Sequence, residues 1–350
     1  MTQSDHTQHD IEPLLRVAFG AQSAQILYVA AKLGIADRLR SGPMTAPELA
    51  SLLAVDAPAL RRVLRGLIVL GVCDEQAGSS FGLTALGEHL RADHPRSVAA
   101  RIVLNAEVHH ALWADLLGTV RTGESASQRV FGLPFYEYLT RNTAAGAIFD
   151  KAMSGGGWIE DRLRPAVDAY NFGRFRSIVD VGGGNGSLMV ETLKTYPQLT
   201  GTVFDVERLA PAVQANLAAA GLTSRCDFVA GDAFDAVPAS RDAYILSNFV
   251  NSWSDADVLV VLRNCRRAMS SGGRLLLLEW VIASDNSQRE AFRLWDTVTM
   301  DLVMLAAFGS QGGRLRTRAE FEYLLEAAGF AATAFIPTRA SIWVIEAEPK

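Results

Sequence analysis

Asp180, Asp205 and Asp232 each close a short apolar run, and the first is followed by glycines at positions 182, 184 and 186. Residues of these types in this order can hold a nucleoside. In the stretch from Ser177 to Ser187 a β-branched strand runs into a turn that lacks Cβ atoms where a ligand would need close backbone approach. A plain strand-to-helix turn could use the same glycines. The spacing argues against a dinucleotide, whose fingerprint needs a third glycine three residues after the second, because position 187 is serine. Asp205 follows about twenty residues later, where a second strand offers a carboxylate to ribose hydroxyls. Gly231-Asp232-Ala-Phe234 then supplies a side chain for an adenine amino group and a ring to cover the base. Each acid alone reads equally as a solvated loop residue or a helix cap. Three of them on successive strand ends favour a cofactor site.

The elements that must position these residues are legible from periodicity. Strands are expected over 177–182, 201–205, 226–230, 243–247, 274–280 and 341–346, alternating with helices, which makes a doubly wound α/β domain. Residues 11 to 91 are helix-rich. Gln25–Gly34 carries an apolar stripe ending on a glycine stop, and Thr45-Ala-Pro-Glu48 and Asp56-Ala-Pro58 are helix starts. Short extended stretches at Gly71–Glu75 and Ser80–Thr84 complete a winged helix. Such a fold can enter DNA, here through Arg61, Arg62 and Arg65, or serve as a dimerisation module. The stripe Ile26, Val29, Leu33 and Ile35 looks too apolar for a solvated arm, which favours the dimer. Residues 105 to 170 are expected to be helical, with His109, His110, Phe135, Tyr136, Phe149 and Met153 interleaved like the lining of a lid.

Composition narrows the classes. A chain of 350 residues, 49% hydrophobic and 20% charged, can bury a large core and has the length of two domains. A net charge of −5 argues against a dominant nucleic-acid or anionic-membrane footprint. No apolar run reaches the ~20 residues of a membrane span, and the polar start lacks a secretory pattern, so a cytoplasmic protein is expected. Cys73, Cys226 and Cys265 are scattered, which suggests neither a disulfide framework nor a zinc site.

Over nearly its full length the chain resembles the S-adenosylmethionine methyltransferases that include plant caffeate and isoflavone enzymes, acetylserotonin methyltransferase and bacterial antibiotic-tailoring enzymes. The resemblance rests on the winged start, Val120–Glu124, Phe149–Met153, the glycine loop, Gly231-Asp232, Trp253-Ser-Asp255 and Gly312–Thr317. It implies a Rossmann-like S-adenosylmethionine-binding domain at 173–350, an α-rich winged-helix dimerisation domain at 1–104 and a helical lid at 105–172. It also implies a homodimer with a small aromatic substrate. Cofactor contacts carry over to Asp180, Gly182, Gly184, Asp205, Asp232 and Phe234, with Ser247 where plant members place a lysine. The substrate pocket is expected to draw on Phe135, Tyr136, Phe149, Met153, Asn248, Trp295, Met300 and Met304; a stripe such as the last three also suits a dimer-packed helix.

Departures from the family carry the chemistry. Most members have a His-Asp-Trp triplet after the fourth strand, its histidine acting as base; here the triplet is Asn251-Ser252-Trp253. An amide cannot take a proton at neutral pH, so Asn251 orients or polarises the acceptor. Of the two carboxylates that usually support the base, one survives as Glu279 and the other is Leu315. Methyl transfer would then rely on placement, worth about 7–11 kcal/mol, and forgo the 10²–10⁴-fold of a base. Acidified, anionic, carbon or nitrogen acceptors qualify, with O-methylation favoured and C- or N-methylation or a non-methylating reaction as alternatives. His109 and His110 are replacement bases to weigh, and Tyr136 and Asp296 weaker ones. A metal held by His109, His110, Asp296 or Asp301 finds no recognisable spacing, so none is expected. A winged-helix, ligand-responsive regulator is the reading from another class, but it would have no use for Asp205 and Asp232.

Overall fold

A computed structural model describes residues 3–270, 272–282 and 291–350, and divides into two compact units. One comprises residues 1–110 with 151–157, the other 111–150 with 158–350. The interval 105–172 therefore contributes to both and does not stand as a body of its own.

The first unit is built from helices started and stopped by their own side chains. Thr45 and Glu48 form a reciprocal cap at the start of helix Ala46–Leu53, Glu48 accepting from the Thr45 amide at 2.8 Å. Asp56 accepts from Ala59 at 2.8 Å to open helix Ala57–Val69, and Gly34, at φ +65°, stops helix Gly20–Leu33. Strands β1 (Met44–Thr45), β2 (Cys73–Gln76) and β3 (Ser80–Leu83) form a small sheet in the order β1-β3-β2, the expected wing. Leu49, Leu64, Leu67 and Phe81 fill its core. Of the apolar stripe 26–35, Ile35 is fully buried and Ile26 and Leu33 pack against the same core, while Val29 is half-buried. The apolar surface left to water is instead Ile11, Leu14, Leu15 and Val17 on the first helix, with Phe19 just beyond it. Among the described residues no single helix is long and apolar enough to cross a membrane.

The second unit carries the large sheet. Its strands are β4 (Ser177–Val181), β5 (Thr200–Asp205), β6 (Cys226–Ala230), β7 (Ala243–Ser247), β8 (Arg274–Ile282), β9 (Arg316–Thr317), β10 (Phe330–Pro337) and β11 (Ile342–Pro349). The order is β10-β11-β8-β7-β4-β5-β6, with β9 paired to the end of β8. The five strands from β6 to β8 are mutually parallel and β11 and β10 antiparallel, so the doubly wound sheet ends in a reversed hairpin. Parallel strands buried on both faces explain the runs of Ile, Val and Leu in β4 and β8. The chain winds one way from β4 to β5 and the other way to β7, and at such a switch point ligands bind beyond the carboxyl ends of the strands.

The exposed Leu14 and Val17 are the place to test assembly. Light scattering should report a dimer at micromolar concentration, and Leu14→Glu with Val17→Glu should shift it to the monomer mass while leaving circular dichroism unchanged, since neither side chain serves the core. A wild-type monomer would overturn this.

Candidate active site

The glycine loop at the end of β4 is shaped by close approach. Gly182 sits at φ +73°, and a Cβ there would lie 2.4 Å from the Phe249 ring. Gly184 is at φ +59°, yet a Cβ on it would meet nothing within 4 Å, which leaves open volume beside the loop. By contrast Gly231 is accounted for by packing alone, because a Cβ would lie 2.5 Å from the Phe204 ring.

The three acids behave differently. Asp180 is buried, and both its carboxylate oxygens are sealed from solvent without a hydrogen-bond partner. Burial, with Asp205 nearby, pushes its pKa up to about 7. A buried acid with no partner is a group awaiting one, and the cationic amino end of S-adenosylmethionine fits the need. Asp205 accepts from the Gly184 amide at 2.8 Å and the Val206 amide at 2.7 Å, which fixes its carboxylate at the strand end; burial raises its pKa. Asp232 is exposed and accepts from the Phe234 amide at 2.9 Å. The Phe234 ring meets Trp253 edge-on at 4.7 Å. Ser247 is half-buried at the end of β7, its hydroxyl accepting from the Asn248 amide.

Asn251 lies 6% exposed in a helical turn, Val250–Ser252. Glu279, fully buried at the end of β8, accepts from the Phe249 and Val250 amides at 2.8 and 2.7 Å, and its other oxygen has no partner. Burial pushes its pKa up to about 8. From another side the buried Arg316 donates to the carbonyls of Val250 (2.7 Å) and Trp253 (2.8 Å) and pairs with Asp255. Gly313 completes the grip, since a Cβ would lie 2.5 Å from the Asn251 carbonyl oxygen. Ser252 donates to the Asn251 side-chain oxygen at 3.1 Å and meets the Tyr136 hydroxyl at 2.9 Å. Tyr136 is surrounded by Phe135, Phe149, Trp253 and Phe308, with ring centroids 5.5–6.4 Å away. Burial raises its pKa.

Other expected residues have different places. Trp295 is 66% exposed, beside exposed Leu294 and Val298, so it does not wall a closed pocket in this unit. Met300 and Met304 are half-buried on the same helix, Ala291–Phe308, where ~100° per residue turns them away from Trp295. Asp296 is no base: Arg162 binds it at 2.5 and 2.6 Å and Ser341 donates to it at 2.8 Å. Asn248, at φ +51°, forms the turn after β7, its amide accepting from the Trp280 indole at 3.0 Å. His109, His110 and Met153 belong to the first unit. Burial lowers the His109 pKa to about 4, so an ionisation there falls well below the pH 6–7 expected of a free histidine; His110 is exposed. Among the described residues no cluster of three or more metal-ligating side chains occurs. Sequence reasoning did not foresee Ser252, Gly313 or Arg316, although the Gly312–Thr317 stretch was the signal that held two of them.

Residues 113–331 match the family model described as an O-methyltransferase domain, and residues 15–93 the O-methyltransferase dimerisation domain. The chain is 38% identical over 96% of its length to a phenazine O-methyltransferase of Lysobacter antibioticus, covering 95% of that protein. It is 36% identical over 93% of its length to an aclacinomycin 10-hydroxylase of Streptomyces purpurascens, covering 86% of it. Among solved structures, an O-methyltransferase from neocarzinostatin biosynthesis, in complex with S-adenosylmethionine and 2-hydroxy-5-methyl naphthoic acid, superposes with a TM-score of 0.77 at 32% identity. The match covers 93% of this chain and 96% of that one.

Two measurements test the cofactor half. Asp205→Ala should weaken S-adenosylmethionine binding by about 1–3 kcal/mol in calorimetry, as for a lost buried hydrogen bond; a change within twofold would sink the assignment. Asp180 holds its proton more tightly folded than unfolded, so its contribution to stability is full below pH ~4 and is lost as pH rises through about 7. Without cofactor, Asp180→Asn should therefore gain in Tm on wild type as pH rises from about 5 to 8. A constant difference between the two would contradict the buried, unpaired carboxyl.

Proposed function

The chain belongs to the O-methyltransferase family and uses S-adenosylmethionine, and from that premise we propose that it methylates an oxygen of a small aromatic or polyketide-like metabolite by placement rather than by proton abstraction. The carrying observation is Asn251, an amide in a rigidly held turn where most members have a histidine. S-adenosylmethionine supplies a sulfonium methyl: an acceptor lone pair forms the new bond to carbon while the carbon–sulfur pair returns to sulfur, leaving S-adenosylhomocysteine. The protein's own residues then orient, dry and hold. Asp180 takes the amino end, Asp205 the ribose and Asp232 the adenine, with Phe234 against the base. Phe135, Tyr136, Phe149 and Phe308 offer flat apolar walls beside Asn251, suited to a planar acceptor. Relatives that methylate a phenazine or belong to neocarzinostatin biosynthesis support that class of acceptor. The dimerisation match supports a homodimer, and a cytoplasmic site of action accords with the chemistry.

A second reading, in which the same fold performs a reaction other than methyl transfer, is favoured by one observation, the hydroxylase relative. Methyl-labelled S-adenosylmethionine incubated with hydroxynaphthoates and hydroxyphenazines decides between them, with NMR locating the label; label on carbon or nitrogen, or none, would overturn O-methylation.

Removing the positioning amide as Asn251→Ala should lower kcat about 10- to 100-fold, and Asn251→His should give little gain. His109→Gln should cost less than about tenfold, because a histidine held near pKa 4 is a weak base. A loss of ~100-fold or more with cofactor affinity intact would establish His109 as the base and refute transfer by placement.

A further inference from the structure

We propose that Asn251 meets the acceptor as a hydrogen-bond donor, and that the enzyme thereby selects acceptors already ionised at the reacting oxygen. The inference rests on the proposed O-methylation of an aromatic acceptor and specifies its protonation state. It follows from counting protons along three side chains. Ser252 has one hydroxyl proton and directs it to the Asn251 side-chain oxygen at 3.1 Å. The contact of 2.9 Å between Ser252 and Tyr136 must then use the tyrosine's proton, so the chain runs Tyr136 to Ser252 to Asn251, each donating to the next. Tyr136, its pKa raised by burial, keeps the proton the chain needs.

The amide oxygen is thus taken, and the amide nitrogen faces the remaining direction. Among the described residues no hydrogen bond engages that nitrogen, nor is it among the sealed polar atoms without a partner, so it keeps some access to solvent. Glu279, Arg316 and Gly313 hold the backbone on both sides of the residue, and the Ser252 hydroxyl holds the amide oxygen against a flip about the side-chain bond. The charged or titratable groups around the loop are Glu279, Arg316 with Asp255, Tyr136 and Asp205; the one carboxylate oxygen of Glu279 without a partner is sealed from solvent, so it is not presented to a phenol. An N–H donor facing the reacting oxygen stabilises a phenolate or an ionised vinylogous acid and does nothing for the proton of a neutral phenol. An ionised acceptor needs no proton removed during transfer, which explains how the usual histidine can be dispensed with.

The test uses the full-length protein saturated with S-adenosylhomocysteine, and 2-naphthol with its more acidic nitro-substituted derivatives as probes. Affinity for each probe, measured by calorimetry, should rise with pH until that probe is fully ionised, and the midpoint should move with the probe. Asn251→Asp keeps the shape and replaces the donor with a negative oxygen. It should abolish the rise and lower kcat/KM with S-adenosylmethionine by at least about 100-fold, while cofactor affinity stays within about threefold. Ser252→Ala, which frees the amide to turn, should reduce the preference for the anion, and Ser252→Thr, which keeps the hydroxyl, should preserve it. Equal affinity for neutral and ionised probes, no binding of either, or faster turnover by Asn251→Asp would overturn the proposal. Naphtholates that bind as expected but are never methylated would instead refute the O-methylation reading and leave the donor role standing.

Discussion

The grip on the backbone from Phe249 to Trp253 is the constraint from which the rest of the site follows. A loop at the end of β7 has no ladder to satisfy its amides and carbonyls, and buried backbone groups left unpaired are costly. Glu279 takes two of the amides and Arg316 two of the carbonyls, both from full burial. The two side chains come from β8 and β9, which pair where they meet at Val281 and Arg316, so the clamp is an extension of the sheet. With its backbone fixed on both sides and its side-chain oxygen bound by Ser252, Asn251 has a defined direction.

The cofactor half works on the opposite principle. There the fold leaves both carboxylate oxygens of Asp180 unpartnered near the carboxyl end of β4, next to a loop with open volume beside Gly184. Asp180 is an acid that the folded chain cannot stabilise by itself. Glu279 has two amide partners within the protein and Asp180 has none, and the two halves meet across the β4–β7 pair. The aromatic rings of Phe234, Phe249 and Trp253 pack along that junction and exclude water from both.

Much of this was legible in the sequence because the parallel strands are buried on both faces and so read as apolar runs ending in acids. β10 was not, since Phe330–Pro337 is rich in alanine and shifts register between Ala332 and Ala334, which erases the alternation a strand would show. Asp180, Asp205 and Asp232 could be found by position alone, whereas the Tyr136–Ser252 contact spans 116 residues and leaves no local pattern. Trp295 misled for a physical reason: an aromatic at helical spacing looks the same whether its face meets a ligand, a partner or water. The stripe 26–35 shows the same limit, because an amphipathic helix hides whether it packs within the unit or between copies.

The position of Arg316 late in the chain has a consequence for biosynthesis. A ribosome releases the strands from β4 to β8 in sequence order, and these suffice to pair as the parallel half of the sheet. Gly313 and Arg316 emerge more than thirty residues after β8 ends at Ile282, and only then can the turn holding Asn251 be locked. Until the chain has grown past Arg316, the turn from Phe249 to Trp253 lacks the side chain that holds its Val250 and Trp253 carbonyls.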